Sequence, residues 1–159
     1  MTIDFKLPKY SEIPGVGLFL EQVSKYINEI LSPLEEADLT GSMISNYVKK
    51  GIIDSPVKKQ YSRDQIAYLI YITMAKNVIS LDNIRTMIML QKQECDTQTA
   101  YHFFCDEFSE VLSAVFENRE IPAKSSESEL KQLSKNVSVT IAYKVYLDMS
   151  FKKLSSEKS

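Results

Sequence analysis

Hydrogen-bonding and positively charged side chains are concentrated in one short stretch of the chain. The side chains of this stretch that could bind a partner are Ser42, Ser45, Asn46, Lys49, Lys50, Lys58, Lys59 and Arg63. The Asn46 amide has the donor and acceptor needed to read an adenine edge, and the serines can bond to bases or phosphates. Lysine and arginine attract phosphates, and lysine can also reach guanine. We therefore expect Asn46 to read bases and Lys58 and Lys59 to anchor the backbone of a nucleic acid.

The distribution of charge supports this expectation, although the total charge does not. The formal net charge is −2, which by itself argues against affinity for a nucleic acid. Residues 40–76, however, carry 6 basic and 2 acidic groups, whereas residues 1–39 carry 3 basic and 7 acidic groups. A local basic patch, rather than a basic total, is the electrostatic footprint of a nucleic-acid-binding protein.

Two amphipathic helices are predicted to lead up to the basic patch. The first covers residues 18–31, where apolar residues recur at intervals of three and four. The second runs from a cap at Thr40 or Ser42 to about Lys50. Tyr47 shares the apolar face of the second helix and is predicted to lie in the core, which leaves the polar residues on the opposite face.

Gly51 predicts the end of the second helix, because glycine adopts the left-handed conformation of a helix terminus at little cost. Residues 52–61 are too short for a helix and contain a proline that argues against a central strand. We predict a small hairpin, or wing, with Lys58 and Lys59 near its tip.

The remainder of the chain is predicted to be helical, with an irregular arm at residues 1–17. Hydrogen-bonding residues precede each later apolar repeat and predict the helix starts. These starts are the capping box Ser62–Gln65, Ser80, Asp96 or Thr97, and a second capping box Ser126–Glu129. The polar link at residues 118–128 predicts that the last two helices pair antiparallel as a helical hairpin, followed by a tail at residues 155–159. The predicted fold class is all-α with a minimal β wing.

Several of these segments together resemble a known fold. The segments LTGSMISNYVKKG, KKQYSRDQ and ISLDNI stand in this order along the chain. They are similar to the MerR-like winged helix-turn-helix, in which a helix ending in Tyr and Lys-Gly precedes a proline-containing basic wing and two further helices. More narrowly, they resemble an uncharacterised family of Gram-positive bacteria, domain of unknown function 1836.

The resemblance implies a bacterial transcriptional regulator. Residues 18–92 would form the winged helix-turn-helix that binds double-stranded DNA, and residues 93–154 would dimerise the protein or sense a small-molecule effector of unknown identity. A homodimer is expected, because symmetric half-sites are the usual way for such domains to gain affinity. MerR-type recognition helices usually place an arginine and an aromatic residue at the positions of Ser45 and Asn46, so the DNA sequence preference is not transferred.

Catalytic and metal chemistry find little support in the sequence. The one histidine, His102, lies three positions before Cys105, but packing or capping roles are favoured over a catalytic Cys-His pair. Cys95 and Cys105 lack partners at metal-ligand spacing and are interpreted as reduced thiols. We find no phosphate-binding loop or nucleotide motif. We therefore expect no enzyme activity, no metal and no cofactor.

Two further function classes remain as alternatives. The acidic balance and the absent family arginine fit a protein-interaction adaptor that uses the same fold without DNA. Aromatic residues in the last two helices fit a small-molecule pocket, although the hydrophobic core is their simplest role; these residues are Phe104, Phe108, Phe116, Tyr143, Tyr146 and Phe151. No membrane span or export signal is recognisable, so a cytoplasmic location is expected.

Overall fold

The computed structural model describes residues 1–122 and 128–158, and these residues are mostly helical. Within them, the helices are α1 Leu20–Leu31, α2 Gly41–Lys49, α3 Arg63–Ala75, α4 Leu81–Glu94, α5 Thr97–Phe116 and α6 Glu129–Glu157. Short 3-10 helices lie at Tyr10–Glu12 and Ser32–Leu34. The strands β1 Leu18–Phe19 and β2 Gln60–Tyr61 form an antiparallel pair. The helix-dominated fold with a minimal β element is confirmed.

Side-chain caps set the helix starts, as the sequence indicates. Four of the predicted caps accept a hydrogen bond from the backbone N–H three residues later: Thr40, Ser62, Ser80 and Asp96. Ser62 and Gln65 form the complete capping box that was predicted. Ser126, the first member of the other predicted box, lies outside the described residues. The N-terminus of α6 is capped by Ser128, whose hydroxyl accepts from the Lys131 N–H at 3.3 Å.

The first predicted helix begins two residues too early, because Leu18 and Phe19 form a strand. Leu18 pairs with Tyr61 and Phe19 with Gln60. Gly17 precedes the strand with a φ of +83°, and a Cβ atom there would lie 2.8 Å from the side-chain oxygen of Gln60. The backbone pairing with a segment some forty residues away therefore overrides the helical spacing of the apolar residues.

One hydrophobic core joins the N-terminal arm to the last helices. Ile13 of the arm, Ile70 of α3, Phe108 of α5 and Ile141 of α6 are all essentially inaccessible to solvent. The arm is also held by a hydrogen bond of 2.7 Å from the Tyr101 hydroxyl to the Pro8 carbonyl. The arm is thus irregular in backbone, as predicted, but packed against the rest of the fold.

Helices α5 and α6 pack side by side, but they run parallel. Four contacts follow one another in the same order along both helices. The Lys131 ammonium lies 5.5 Å from the centre of the Phe103 ring, Ser134 and Ser138 donate hydrogen bonds to Glu107, and Phe116 meets Tyr146 with ring centres 5.2 Å apart. The predicted antiparallel helical hairpin is therefore wrong in direction.

The length of the connection between these helices explains the parallel arrangement. A chain of twelve residues, such as 117–128, spans up to about 40 Å, which exceeds the roughly 30 Å length of a 20-residue helix. Part of this connection returns along α5, because Ile121 and Pro122 lie beside Glu107 and Glu110. The Lys135 ammonium donates to the Pro122 carbonyl. A polar link predicts antiparallel neighbours only when it is too short to return in this way.

The C-terminus is more ordered than predicted. Helix α6 continues to Glu157, although residues 151–158 are exposed to solvent. The predicted tail at residues 155–159 is helical as far as Glu157, and Ser159 lies outside the described residues. In residues 1–122 and 128–158, every helix is too short or too polar to cross a bilayer.

Candidate nucleic-acid interface

Helix α2 is fixed in place by contacts on both sides of its N-terminus. The Asn28 side chain of α1 donates to the Leu39 carbonyl at 2.8 Å and accepts from the Leu39 N–H at 2.9 Å. The Thr40 hydroxyl then accepts from the Met43 N–H at 3.1 Å. On the inner face of α2, Ile44 and Tyr47 are buried, so the predicted place of Tyr47 in the core is confirmed. The orientation of α2 is therefore set by both packing and hydrogen bonds.

The opposite face of α2 carries the predicted base-reading residues. Ser42, Ser45 and Lys49 are exposed, and Asn46 is half-buried. In the part of the chain that the structure describes, the side chains of Ser42, Ser45 and Asn46 form no hydrogen bond. Because these polar groups are not used within the fold, they are available to an external partner.

Lys50 and Gly51 end α2 at the edge of this face. Gly51 has a φ of +71°, its N–H donates to the Val48 carbonyl, and the Ile52 N–H donates to the Tyr47 carbonyl at 2.9 Å. This pair of hydrogen bonds is the left-handed helix ending that glycine favours. The sharp ending leaves the adjacent Lys49 and Lys50 exposed to solvent.

Residues 54–61 form the predicted hairpin, with Lys58 and Lys59 as its two-residue turn. Reciprocal backbone hydrogen bonds of 3.2 and 3.0 Å join Val57 and Gln60. Lys58 and Lys59 have φ angles of +52° and +64°, as the type I′ turn requires. The left-handed conformation costs a residue with a Cβ atom about 1–2 kcal/mol, so asparagine and glycine are the usual choices at such a turn. Two lysines are therefore held at a strained tip.

The hairpin is attached to the start of α3 by Gln65. The amide nitrogen of this residue donates to the Asp54 and Ser55 carbonyls at 3.0 and 3.1 Å, while its oxygen accepts from the Ser62 N–H at 2.8 Å. The preceding Ile53 is buried. The capping box of α3 thus also fixes the base of the hairpin.

Arg63 has a different position from the one predicted for a backbone anchor. Its Nε donates to the Ile13 carbonyl at 2.9 Å, and its guanidinium carbon lies 5.4 Å from the centre of the Tyr10 ring. Tyr10 also donates to Asp64 at 2.5 Å, and this hydrogen bond raises the pKa of the Tyr10 hydroxyl to about 12. Arg63 therefore connects the arm to α3, and we exclude it from the interface.

Arg85 is a basic residue near α2 that the sequence pattern does not indicate. It is exposed on α4, and its guanidinium lies 3.9 Å from the point where a Cβ atom on Gly51 would be. It therefore adds positive charge next to Lys50. By contrast, Lys76, which also belongs to the basic residues 40–76, forms an ion pair of 3.0 Å with Asp38. The proximity of Arg85 to Gly51 depends on how α4 packs, and no local sequence signal reports it.

The profile of a domain of unknown function (DUF1836) matches residues 8–104, which is more than half of the chain. The chain belongs to this family. The DUF1836 match includes residues 8–17 of the arm, the hairpin and α1 to α4, and it ends within α5. The whole of α6 therefore lies outside the DUF1836 region. No curated protein and no solved structure gave a significant match.

His102 and Cys105, near the end of the DUF1836 region, have different polar partners. His102 is exposed and lies 3.2 Å from the Asp106 carboxylate. Burial raises the pKa of the Cys105 thiol to about 11, so this thiol stays protonated at neutral pH. Cys95 and Cys105 are both free, and no group of metal-ligating side chains is found in residues 1–122 and 128–158.

The predicted aromatic core is only partly present. Phe104, Phe108 and Phe116 are buried, whereas Tyr143 and Phe151 are exposed on α6. Five aromatic residues line an apolar cavity of about 360 Å³ between the DUF1836 region and the start of α6: Tyr68, Tyr71, Tyr101, Phe103 and Phe104. The cavity falls within the range of small-molecule sites.

Proposed function

We propose that this protein is a DNA-binding transcriptional regulator in which residues 18–92 form a MerR-like winged helix-turn-helix. The observation that carries the proposal is the α2–hairpin surface. It consists of Ser42, Ser45, Asn46, Lys49, Lys50, Lys58 and Lys59. In the described part of the chain, none of its lysines forms an ion pair and none of its α2 polar side chains forms a hydrogen bond.

In this proposal α2 enters the major groove of double-stranded DNA. Asn46 reads an adenine edge, while Ser42 and Ser45 bond to bases or phosphates. Lys49 and Lys50 contact phosphates or guanine, and the neighbouring Arg85 strengthens the positive potential at this end of α2. The hairpin serves as the wing, and its two lysines contact the DNA backbone without reading the sequence.

The regulator would bind DNA as a homodimer, because two copies of one short helix contact two half-sites about one helical turn apart. The apolar cavity beside α3 and α4 is the place where a small-molecule effector would act. Tyr68 of its wall bonds to Gln91 at 2.7 Å and accepts from Thr97 at 3.0 Å, so this wall joins α3, α4 and α5. A ligand in the cavity would alter the packing of the helices that support the hairpin.

Mobility-shift titrations test the proposal. Purified protein is titrated against the DNA upstream of its own gene, and against an unrelated fragment, at several salt concentrations. We expect tighter binding to a fragment with an inverted repeat, and affinity that falls as salt rises, since phosphate contacts release counterions. Absence of binding to every fragment, or binding that is insensitive to salt, contradicts the proposal.

An adaptor that binds a protein instead of DNA is the second candidate. The observation that favours it is an exposed apolar pair on the hairpin sheet. Phe19 is 49% and Val57 is 75% exposed, and both pair with Gln60, so they lie on the same face of the sheet. Stable co-purification of a protein that is lost in Phe19→Ser with Val57→Ser, together with no DNA binding, would establish the adaptor.

A further inference from the structure

Helix α6 carries an apolar stripe that no other part of the described chain covers. Five large apolar side chains are between 44% and 64% exposed: Leu133, Tyr143, Leu147, Phe151 and Leu154. Together with the uncharged Asn136 and Thr140, they succeed one another at intervals of three or four residues. This spacing places all seven on one side of the helix. We call this set the α6 stripe.

The α6 stripe is distinct from the face by which α6 joins the core. The core face consists of Val137, Ser138, Ile141, Ala142 and Val145, which are all buried. The helix has 29 residues and is about 43 Å long, and from residue 151 onwards it is exposed all round. The Lys144–Asp148 ion pair lies along one edge of the stripe. A row of apolar side chains of this length is typical of an interaction site rather than of scattered surface residues.

We infer that the α6 stripe pairs with the α6 stripe of a second copy of this chain, in antiparallel orientation. The charges at the two ends of the stripe favour a second copy of this helix as the partner, and they favour its antiparallel orientation. Glu129 lies on the same side of the helix as the stripe, one turn before Leu133, and Lys158 lies one turn after Leu154. Within the described residues, neither forms an ion pair.

Antiparallel pairing makes these ends complementary. If Leu133 of one copy faces Leu154 of the other, then Thr140 faces Leu147 and Glu129 faces Lys158. The two Tyr143 side chains lie next to each other at the two-fold axis. Parallel pairing would instead place Glu129 against Glu129 and Lys158 against Lys158, and like charges in contact are destabilising.

This inference deepens the proposed function, since it provides the dimer contact that a regulator with two half-sites needs. It nevertheless rests on different residues from those that would bind DNA. The α6 stripe can therefore be tested without DNA, so that failure of the pairing is distinguishable from failure of the DNA-binding proposal.

The first experiment measures the mass of the full chain by sedimentation equilibrium, for the parent and for Leu147→Glu with Phe151→Glu. We expect the parent to be dimeric at micromolar concentration. The variant should be a folded monomer with a dissociation constant at least about a hundredfold higher, because four carboxylates enter an apolar contact. The control, Val16→Glu with Met89→Glu, replaces exposed apolar residues elsewhere and should remain dimeric. A monomeric parent, or a variant that remains dimeric, overturns the inference.

The second experiment tests the direction by disulfide formation in a Cys95→Ala, Cys105→Ala background. In the antiparallel dimer, neither Leu133→Cys nor Leu154→Cys alone forms a disulfide between copies, but a mixture of the two variants does. Tyr143→Cys forms one by itself. If Leu133→Cys and Leu154→Cys each cross-link alone, the pairing is parallel, and if no variant cross-links, the α6 stripe is not an interface. Either result overturns the antiparallel inference.

Discussion

The α2–hairpin surface and the α6 stripe are both exposed, yet they have opposite chemistry. The first consists of hydroxyl, amide and ammonium groups without partners inside the fold, while the second consists of seven uncharged side chains, five of which are large and apolar. The first lies inside the DUF1836 match and the second lies outside it. A polar surface binds a partner through directional hydrogen bonds and charge, whereas an apolar stripe binds a partner through the apolar area that becomes buried. The two proposals together therefore assign two surfaces of one chain to two different partners.

The largest effect should come from the charge of the hairpin tip. Lys58→Ala with Lys59→Ala should weaken binding to all DNA sequences alike by about a hundredfold at low salt, because two charged contacts are lost. The salt slope should fall by about two units. Fluorescence anisotropy with two unrelated duplexes at several salt concentrations measures both quantities.

An adjacent lysine pair on α6 is the matched control for this prediction. Lys152→Ala with Lys153→Ala removes the same net charge, although it also removes an ion pair of 2.7 Å between Lys152 and Glu35. We expect little change in DNA affinity for this control. An equal loss in both double variants would mean that total charge, and not the hairpin, governs binding.

The next effect concerns the support of α2. Asn28→Ala should lower the free energy of unfolding by about 2 kcal/mol, since both backbone groups of the buried Leu39 lose their hydrogen-bond partner. Urea denaturation measures this change. Asn83→Ala, at an exposed position on α4, should stay within about 0.5 kcal/mol of the parent. If Asn28→Ala is as stable as its control, the Asn28 contact does not hold α2.

A smaller and more selective effect is expected at the centre of the exposed α2 face. Asn46→Ala should reduce the preference for the specific sequence about tenfold while binding to random DNA changes little, because a bidentate contact to a base is worth about 1–3 kcal/mol. Competition binding with operator and random duplexes separates the two quantities. Asn83→Ala removes an exposed asparagine from α4, outside both proposed surfaces, and should preserve the preference. A uniform loss of affinity in Asn46→Ala would show that this residue only contacts the backbone.

The smallest expected effect is on the stability of the fold, and the variant that produces it changes DNA binding in the opposite sense. Lys58→Asn with Lys59→Gly should raise the free energy of unfolding by about 1 kcal/mol, because asparagine and glycine tolerate the left-handed turn. The same change should weaken DNA binding. Thermal unfolding and anisotropy measure the two results. Lys152→Asn with Lys153→Gly, inside α6, should lower stability, and a loss of stability at the hairpin as well would contradict the strain at its tip.

Features that depend on neighbouring residues could be predicted from the sequence. The Ser62–Gln65 capping box and the cap at Ser80 are hydrogen bonds between residues three positions apart, so the sequence contains both partners. The hairpin with Lys58 and Lys59 at its tip and the inward side of Tyr47 follow from equally local patterns. The candidate site could therefore be predicted largely from the local sequence patterns of α2 and the hairpin.

Features that depend on long-range packing could not be predicted. The sequence predicts that Arg63 contacts DNA, but its Nε donates to the Ile13 carbonyl, fifty positions earlier in the chain. Arg85 is placed beside Gly51 by the packing of α4. The parallel course of α5 and α6 depends on the path of their connection, since the apolar spacing in each helix is the same for either direction. Side-chain periodicity reports which face is buried, but it does not report what covers that face.

The bond between Tyr101 and Pro8 has a consequence for the order in which the protein folds during synthesis. Its two partners are 93 positions apart in the chain. At a synthesis rate of about 5–20 residues per second, the arm is synthesised roughly 5–20 seconds before the helix that covers it. During this interval Leu7 and Ile13, which are buried in the finished protein, have no cover from α5. A nascent chain that ends before residue 101 therefore exposes apolar surface to chaperones and proteases, even though it already contains all of α2 and the hairpin.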